Sequence, residues 1–171
     1  MNFMELAQAR YSVRSFSAQP IETDKMQKIL AAGQIAPTAK NNQPQKIYVV
    51  QSEAGLAKIR RVTQCHYNAP VVLIVAYDKD QEWKNPIENG VASGQQDASI
   101  VATHMMLEAQ DLGIGSVWVN MFSPSEVKEV FNLPENIVPV LLLPLGYAQP
   151  DAHPSAWHTQ KKPIEETVTM L

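Results

Sequence analysis

The chain has 171 residues, of which 45% are hydrophobic and 18% are charged, and its formal net charge is -3. This composition is typical of one globular domain spanning residues 1–171 and excludes an intrinsically disordered chain. The acidic balance without a long basic run argues against nucleic-acid binding as the main task. The single cysteine, Cys65, excludes an internal disulfide framework.

The first half of the chain alternates predicted helices with predicted strands. A weak helical pattern precedes the stretch ARYSVRSF, and Thr23 is a plausible N-cap for a second helix that the proline-bounded loop APTAKNNQPQ ends. KIYVV is typical of a strand, and Ser52 can cap the helix that follows it. The run PVVLIVAY is apolar on both faces, which predicts a central strand covered on both sides.

The second half begins with a polar surface loop and a long helix. Apolar residues recur at helical spacing between residues 90 and 112, and Gly113 is well placed to end this helix. The opposite face is only weakly polar, which predicts burial nearly all round, either in this domain or between two copies of it.

Two further strands and one helix are predicted before the tail. IGSVWV is typical of a strand, and Ser123 followed by Pro124 and by Glu126 predicts a helix start with a capping box. VPVLLLPLGYA predicts a buried strand, in which Pro144 indicates an irregularity or a position at the sheet edge. The loops are too varied for a simple parallel wound sheet, and an α+β fold with helices covering a mostly antiparallel sheet fits at least as well.

The tail, residues 150–171, has little capacity to fold alone. It nevertheless contains Trp157, Ile164, Val168 and Leu171, and an exposed tail seldom carries that much apolar area. We therefore expect an extended C-terminal arm that lies along another surface, such as that of a second subunit.

Several chemistries and locations are disfavoured by the sequence. It contains no glycine-rich dinucleotide fingerprint, no phosphate loop and no serine in a nucleophile elbow. The four histidines show no spacing typical of metal ligands, so we expect no metal site. The N-terminus lacks the pattern of a signal peptide and no apolar run is long enough to cross a bilayer, so we expect a cytoplasmic protein without a membrane partner.

Polar residues instead collect at four places near predicted loops. Each group alone is more typical of a structural or solvated segment than of a site. The groups are Arg10-Ser12-Arg14, Pro37–Pro44, Gly113–Trp118 and Lys161-Lys162-Pro163.

Taken together and in order, these segments resemble the nitroreductase family of flavin enzymes. The stretches that carry the resemblance are RYSVRSF, APTAKNNQPQ, APVVLIV, LGIGSVW, and LGYAQ followed by a basic residue, a proline and IEETV. The resemblance covers nearly the whole chain. It implies a nitroreductase-like α+β homodimer with extended exchanged termini and FMN bound at the dimer interface, which would account for the apolar arm and the buried long helix.

The resemblance also implies roles for individual residues. Arg10 would face the FMN phosphate, Ser12 the polyol or phosphate, and Arg14 the N1–C2=O edge of the ring, where it would raise the reduction potential. Lys161 would meet the phosphate where family members often have arginine. The other implied flavin contacts are Pro37, Thr38, Ala39 and Asn41 from the second subunit, and Gln64, Trp118, Asn120 and Met121 beside the ring.

The implied activity is a two-step transfer of hydride from NADH or NADPH to FMN and then to a nitroaromatic, a quinone or a similar electron-poor small molecule. Three alternatives stay open: a non-catalytic FMN-binding dimer, another reaction on the same scaffold such as reductive dehalogenation or flavin destruction, and a globular domain whose basic residues are merely solvated. The segment between Asp78 and Gly90 is short for the family, which implies an open site.

Overall fold

A four-stranded antiparallel sheet forms the centre of the molecule in the computed structural model, which describes residues 2–171. The sheet has the order β1-β2-β4-β3, so β2 and β4 are the inner strands. This arrangement confirms the predicted α+β class with an antiparallel sheet. The strands are β1 (Gln45–Val50), β2 (Val71–Asp78), β3 (Gly115–Ser116) and β4 (Ile137–Gly146).

Helices cover the sheet, and short 3-10 turns occur in one loop and in the tail. The helices of the described chain are α1 (Phe3–Ala9), α2 (Thr23–Gln34), α3 (Glu53–Val62), α4 (Gly94–Asp111) and α5 (Pro124–Phe131). The 3-10 turns are Ala39–Asn41, Ala156–His158 and Ile164–Glu166. Within residues 2–171, the helices all fall short of the length and apolar character that crossing a bilayer requires.

Alternate residues of β2 enter two separate apolar cores. Val71, Leu73 and Val75 pack with residues of α2 and α4, whereas Val72 and Ile74 pack on the other face with residues of α3 and α5. Each of these five side chains is buried, because successive strand residues point to opposite faces and both faces are covered. The prediction of a central strand covered on both sides is therefore confirmed.

The predicted helix ends are largely confirmed. The Ser52 hydroxyl accepts a hydrogen bond from the Gly55 N–H at 3.2 Å, and the Ser123 hydroxyl accepts one from the Glu126 N–H at 3.3 Å. The prediction for α2 is wrong by one residue, because Glu22 occupies the N-cap position and Thr23 is the first helical residue. The Glu22 carboxylate does not cap the helix; it accepts a hydrogen bond from the Tyr147 hydroxyl at 2.7 Å.

Pro144 lies inside the sheet, which excludes the edge position that the sequence left open. It stands opposite Val72 of β2, and on its other side its carbonyl accepts a hydrogen bond from the Val117 N–H at 3.2 Å. The N–H and C=O of one strand residue point to the same side, so the N–H that proline lacks would have faced β3. β3 ends at Ser116, one residue before that position, and is much shorter than the predicted strand.

The long helix α4 is buried along one face in the single chain. Val101, Ala102 and Met105 are fully buried, whereas Ile100 is 38% exposed and Thr103 on the opposite face is also exposed. Burial nearly all round is therefore wrong for one chain. Burial of the outer face between two copies stays a prediction.

Candidate functional site

The two ends of the chain meet at one cavity of about 230 Å³, which we call the arginine pocket. Three cationic side chains line it, and no carboxylate is among its lining residues in the part of the chain that the structure describes. It brings together the predicted residues Arg10, Ser12, Arg14 and Lys161. The lining residues are Arg10, Tyr11, Ser12, Arg14, Ser155, Trp157, His158 and Lys161.

Backbone geometry explains why Arg10, Ser12 and Arg14 share this pocket. Helix α1 ends at Ala9, and Arg10 is already extended, with φ -64° and ψ 126°. In an extended segment every second side chain lies on the same face. Val13 accordingly points the other way, into the core, and is 1% exposed. The spacing of the two arginines and the serine is therefore the spacing of one face of a strand.

Strand β3 holds this segment in place. Ser12 forms a parallel bridge with Ser116, and the Val13 N–H donates to the Ser116 carbonyl at 3.0 Å. Gly115 allows the close approach, because a Cβ built there would lie 2.6 Å from Cγ2 of Val13 and 3.2 Å from the Gly146 carbonyl oxygen. The predicted LGIGSVW motif thus supplies the surface on which the arginine segment, residues 10–16, rests.

The C-terminal arm reaches the pocket from the same chain. His158 Nε2 lies 3.2 Å from the Gln8 carbonyl oxygen, and the His158 ring packs edge-on against Tyr11 with centroids 6.3 Å apart. Lys161 Nζ donates to the His158 carbonyl at 2.9 Å, which fixes the lysine at the pocket. Residues 152–161 therefore lie on the chain's own N-terminal segment. Packing of the arm on a partner stays a prediction for the residues beyond Lys161, which are all exposed.

A second cluster lies next to Arg14 and contains the predicted residues Gln64 and Met121, both exposed. The Thr63 hydroxyl donates to the Met121 carbonyl at 2.7 Å, and Cys65 Sγ lies 3.8 Å from Met121 Sδ. These contacts join the end of α3 to the segment after β3.

Tyr67 connects this cluster with the arginine pocket. Burial and the neighbouring Cys65 thiol raise the pKa of the Tyr67 phenol, and the Arg14 guanidinium opposes this effect. Arg14 is therefore close to both clusters. Tyr67 has φ 50°, a left-handed conformation that is uncommon outside glycine.

Trp118 and Asn120 are the other predicted residues near the second cluster. The Trp118 indole N–H donates to Oδ1 of Asn120 at 2.9 Å, so the two side chains hold one another. Trp118 is half-buried and packs against the core, whereas Asn120 is exposed. Asn120 directly follows Val119, whose N–H donates to the Leu142 carbonyl at 3.0 Å and so anchors the segment to β4.

The loop with Pro37, Thr38, Ala39 and Asn41 is held by a buried carboxylate at the start of α4. Asp97, 2% exposed, accepts from the Ala39 N–H at 2.9 Å and from the Ser93 hydroxyl at 2.7 Å. The Thr38 hydroxyl accepts from the Gln43 N–H at 3.1 Å and closes the loop on itself. Three of its residues, Lys40, Asn41 and Gln43, have left-handed backbones, while Pro37 is exposed.

The structure does not bring this loop to the arginine pocket. Asp97 lies in the first turn of α4, whereas β3 and the arginine segment lie beyond the other end of the helix. At 1.5 Å per residue, the 16 residues from Asp97 to Gly113 span about 24 Å. Two parts of the predicted site therefore lie at opposite ends of one helix. Only a second copy could place such a loop beside the arginine pocket.

Sequence analysis missed three residues that the structure places at these sites. Asp97 follows Ser93 by four residues, a helical spacing that could have suggested the pair. His158 lies three residues before Lys161, but nothing in the sequence indicates that its ring packs on Tyr11. The position of Tyr67 depends on a left-handed turn that no local motif predicts.

A second cavity is lined by none of the residues predicted to bind a cofactor. This cavity, of about 690 Å³, lies near the start of α3 and is lined by residues such as Ser52, Arg60 and Asn68. The arginine pocket is smaller, but its charge and its composition make it the better candidate for an anionic ligand. In residues 2–171, His, Cys, Asp and Glu side chains form no group of three or more that could hold a metal ion.

Comparison with known proteins gives a consistent result. The sequence matches the model of the Nitroreductase family over residues 7–67 and 64–147. A Clostridium difficile 630 protein of that family, of known crystal structure, is 39% identical, with a TM-score of 0.93 and coverage of 99% of this chain and 98% of that chain.

Two curated archaeal proteins are also similar, and both are named "Putative NADH dehydrogenase/NAD(P)H nitroreductase". The Archaeoglobus fulgidus protein is 32% identical over 151 residues, which cover 84% of each chain. The Methanothermobacter thermautotrophicus protein is 30% identical over 154 residues, which cover 86% of this chain and 78% of the relative. The chain therefore belongs to the nitroreductase family.

Proposed function

We propose that this protein is an NAD(P)H-dependent oxidoreductase that binds FMN at a site shared by two copies of the chain and reduces nitroaromatics, quinones or similar electron-poor acceptors. Membership of the nitroreductase family supports the oxidoreductase class. The names of the two archaeal relatives support reduced nicotinamide as the electron donor. The arginine pocket is the single observation that carries the assignment of a phosphorylated flavin.

The residues present fit the phosphate end of FMN. Arg10 and Lys161 supply positive charge, Ser12 supplies a hydroxyl, and the described residues that line the pocket include no carboxylate. A guanidinium group binds phosphate oxygens through two parallel hydrogen bonds, so Arg10 suits a phosphate dianion. A cavity of about 230 Å³ accommodates a phosphate and the adjoining polyol. The ring would lie outside, toward the Gln64 and Met121 cluster.

FMN held by these residues would supply the redox chemistry, namely hydride transfer from the nicotinamide and a second half-reaction with the acceptor. Arg14 is assigned to the N1–C2=O edge, because it borders both the pocket and the cluster that contains Tyr67. Its fixed positive charge there stabilises negative charge on the ring and so raises the reduction potential. Arg10 and Lys161 orient the cofactor by its phosphate.

A second copy would complete the site. The loop of Thr38, Ala39 and Asn41 is held at the start of α4, whereas the pocket of its own chain lies beyond the other end of this helix, which is about 24 Å long between Asp97 and Gly113. The exposed outer face of α4, with Ile100 and Thr103, and the exposed arm beyond Lys161 offer surface for a partner. The proposal of a homodimer is therefore supported by a site that one chain leaves incomplete and by apolar side chains that one chain leaves exposed. Measuring the oligomeric state in solution tests it.

The direct experiment follows the colour of the purified protein under anaerobic conditions. We expect a yellow dimer that NADH or NADPH bleaches and that nitroaromatic or quinone addition restores. A yellow protein that neither nicotinamide bleaches would favour a non-catalytic FMN-binding dimer. A colourless protein that does not bind added FMN would refute the proposal. Bleaching followed by loss of flavin, or by halide release from a halogenated substrate, would favour another reaction on the scaffold.

A truncation tests the contribution of the arm. Removing residues 157–171 deletes Lys161 from the pocket and the exposed apolar residues of the tail. We expect weaker dimerisation by analytical ultracentrifugation and a larger FMN dissociation constant. A shortened protein that stays dimeric and retains FMN like the full chain would remove the arm from the proposed site.

A further inference from the structure

Thr63 joins the two segments that carry the predicted contacts with the flavin ring. It directly follows α3, and the residue is buried, with 6% of its surface exposed. Its hydroxyl donates to the Met121 carbonyl at 2.7 Å and accepts from the Cys65 N–H at 3.0 Å. A single buried hydroxyl therefore holds the backbone on both sides of the second cluster.

The hydrogen bond from Cys65 fixes the segment that contains Gln64. Thr63 has an extended backbone, with φ -156° and ψ 145°, and successive side chains of an extended backbone point to opposite sides. Because the Thr63 side chain points inward, the Gln64 side chain points outward, and Gln64 is exposed. The bond between the Cys65 N–H and the Thr63 hydroxyl thus closes a tight backbone loop around Gln64.

The hydrogen bond to Met121 fixes the segment on the other side. The Phe122 N–H donates to the Asn120 carbonyl at 3.0 Å, so the backbone turns sharply at Met121. Met121 is 70% exposed, and side-chain packing therefore does little to hold it. The bond between its carbonyl and the Thr63 hydroxyl ties this turn to the end of α3.

Removal of the hydroxyl would leave a backbone carbonyl and a backbone N–H without their partner. Buried polar groups of this kind are costly unless water or another group replaces the lost hydrogen bond. Water can reach both groups only if the two segments move apart. A binding surface loses affinity when the hydrogen bonds behind it no longer hold its parts at a fixed spacing.

We propose that Thr63 is a positioning residue whose hydroxyl sets the spacing between Gln64 and Met121 and, through that spacing, the affinity for the isoalloxazine ring. This inference rests on the proposed function, since it concerns the ring of the same cofactor. Thr63 does not line the arginine pocket, so the phosphate should be bound equally well without the hydroxyl.

The test separates the ring from the phosphate by fluorescence titration of the full-length apoprotein with FMN and with riboflavin, which lacks the phosphate. Thr63→Val is the informative variant, because valine has the shape of threonine but no hydroxyl. Thr63→Ser keeps the hydroxyl. Ser52→Ala is the matched control, since it removes a side-chain hydrogen bond at the opposite end of the same helix.

We expect Thr63→Val to raise the dissociation constants of FMN and of riboflavin by the same factor, about tenfold, so that their ratio stays that of wild type. Thr63→Ser and Ser52→Ala should bind both flavins like wild type. Arg10→Ala should give a different pattern, weakening the binding of FMN but not that of riboflavin, because Arg10 lines the arginine pocket.

Thermal melts followed by circular dichroism show whether each variant is folded at the titration temperature. If Thr63→Val does not fold, Thr63→Ala replaces it, because the smaller side chain leaves room for water to reach both backbone groups. Wild-type affinity of the hydroxyl-free variant for both flavins would overturn the inference, as would equal weakening by Ser52→Ala or a loss confined to FMN. If wild type binds FMN in those cases, the proposed function survives; if wild type binds neither flavin, the proposed function fails and this inference fails with it.

Discussion

Substitution of Gly115 by alanine tests how the arginine segment is held. The added Cβ would lie 2.6 Å from Cγ2 and 3.0 Å from Cβ of Val13, and 3.2 Å from the Gly146 carbonyl oxygen. Val13 is β-branched and 1% exposed, so it cannot swing away without moving its backbone. Overpacking of this kind costs about 1–3 kcal/mol. The strain falls on the backbone between Ser12 and Arg14.

We therefore expect Gly115→Ala to lower both stability and FMN affinity. Urea unfolding followed by circular dichroism should show a free energy of unfolding about 1–3 kcal/mol below wild type. Displacement of two cations from the pocket should raise the FMN dissociation constant at least about tenfold. The two effects have one cause, so Val13→Ala added to Gly115→Ala should recover part of both.

Gly113→Ala is the matched control two residues earlier. Gly113 has φ 75°, but a Cβ there meets nothing within 4 Å, so the cost is only the left-handed backbone, about 1 kcal/mol. FMN affinity should be unchanged because the arginine segment is not displaced. If Gly115→Ala matched wild type in both measurements, or if Gly113→Ala weakened FMN binding equally, the packing argument would be wrong.

Three further predictions concern other parts of the molecule. Asp97→Ala removes two hydrogen bonds to a buried carboxylate and should lower the free energy of unfolding by about 2–4 kcal/mol. Ser93→Ala removes only one of them and should lower it by about 1–2 kcal/mol. Equal losses for the two variants in urea unfolding would contradict this prediction. Burial, with the nearby Arg60, lowers the pKa of His66, so the folded state binds its proton less tightly than the unfolded state, and stability is lost as pH falls below about 6.5. His66→Asn keeps an acceptor for the Asn68 N–H, so its thermal midpoint should fall less than that of wild type between pH 7.5 and 5.5; an identical fall would refute the role of His66. Arg14→Ala should lower the flavin reduction potential measured against a reference dye, and an unchanged potential would remove its assignment to the ring edge.

The sequence determined the elements whose signals are local. The apolar run PVVLIVAY predicted an inner strand, and Ser52, Gly113 and Ser123 marked helix ends through their own backbone chemistry. Such features depend on neighbouring residues, so they can be read without knowledge of the fold.

Only the tertiary structure decided which distant segments meet. It joined Lys161 and His158 to Arg10 within one chain, and it placed the Thr38–Asn41 loop at the far end of α4. It also placed Pro144 of β4 inside the sheet. The N–H that proline lacks would have faced β3, and β3 ends before that position. These outcomes depend on contacts between residues more than 50 positions apart, such as that of Ala39 with Asp97, and no local pattern encodes the geometry of such contacts.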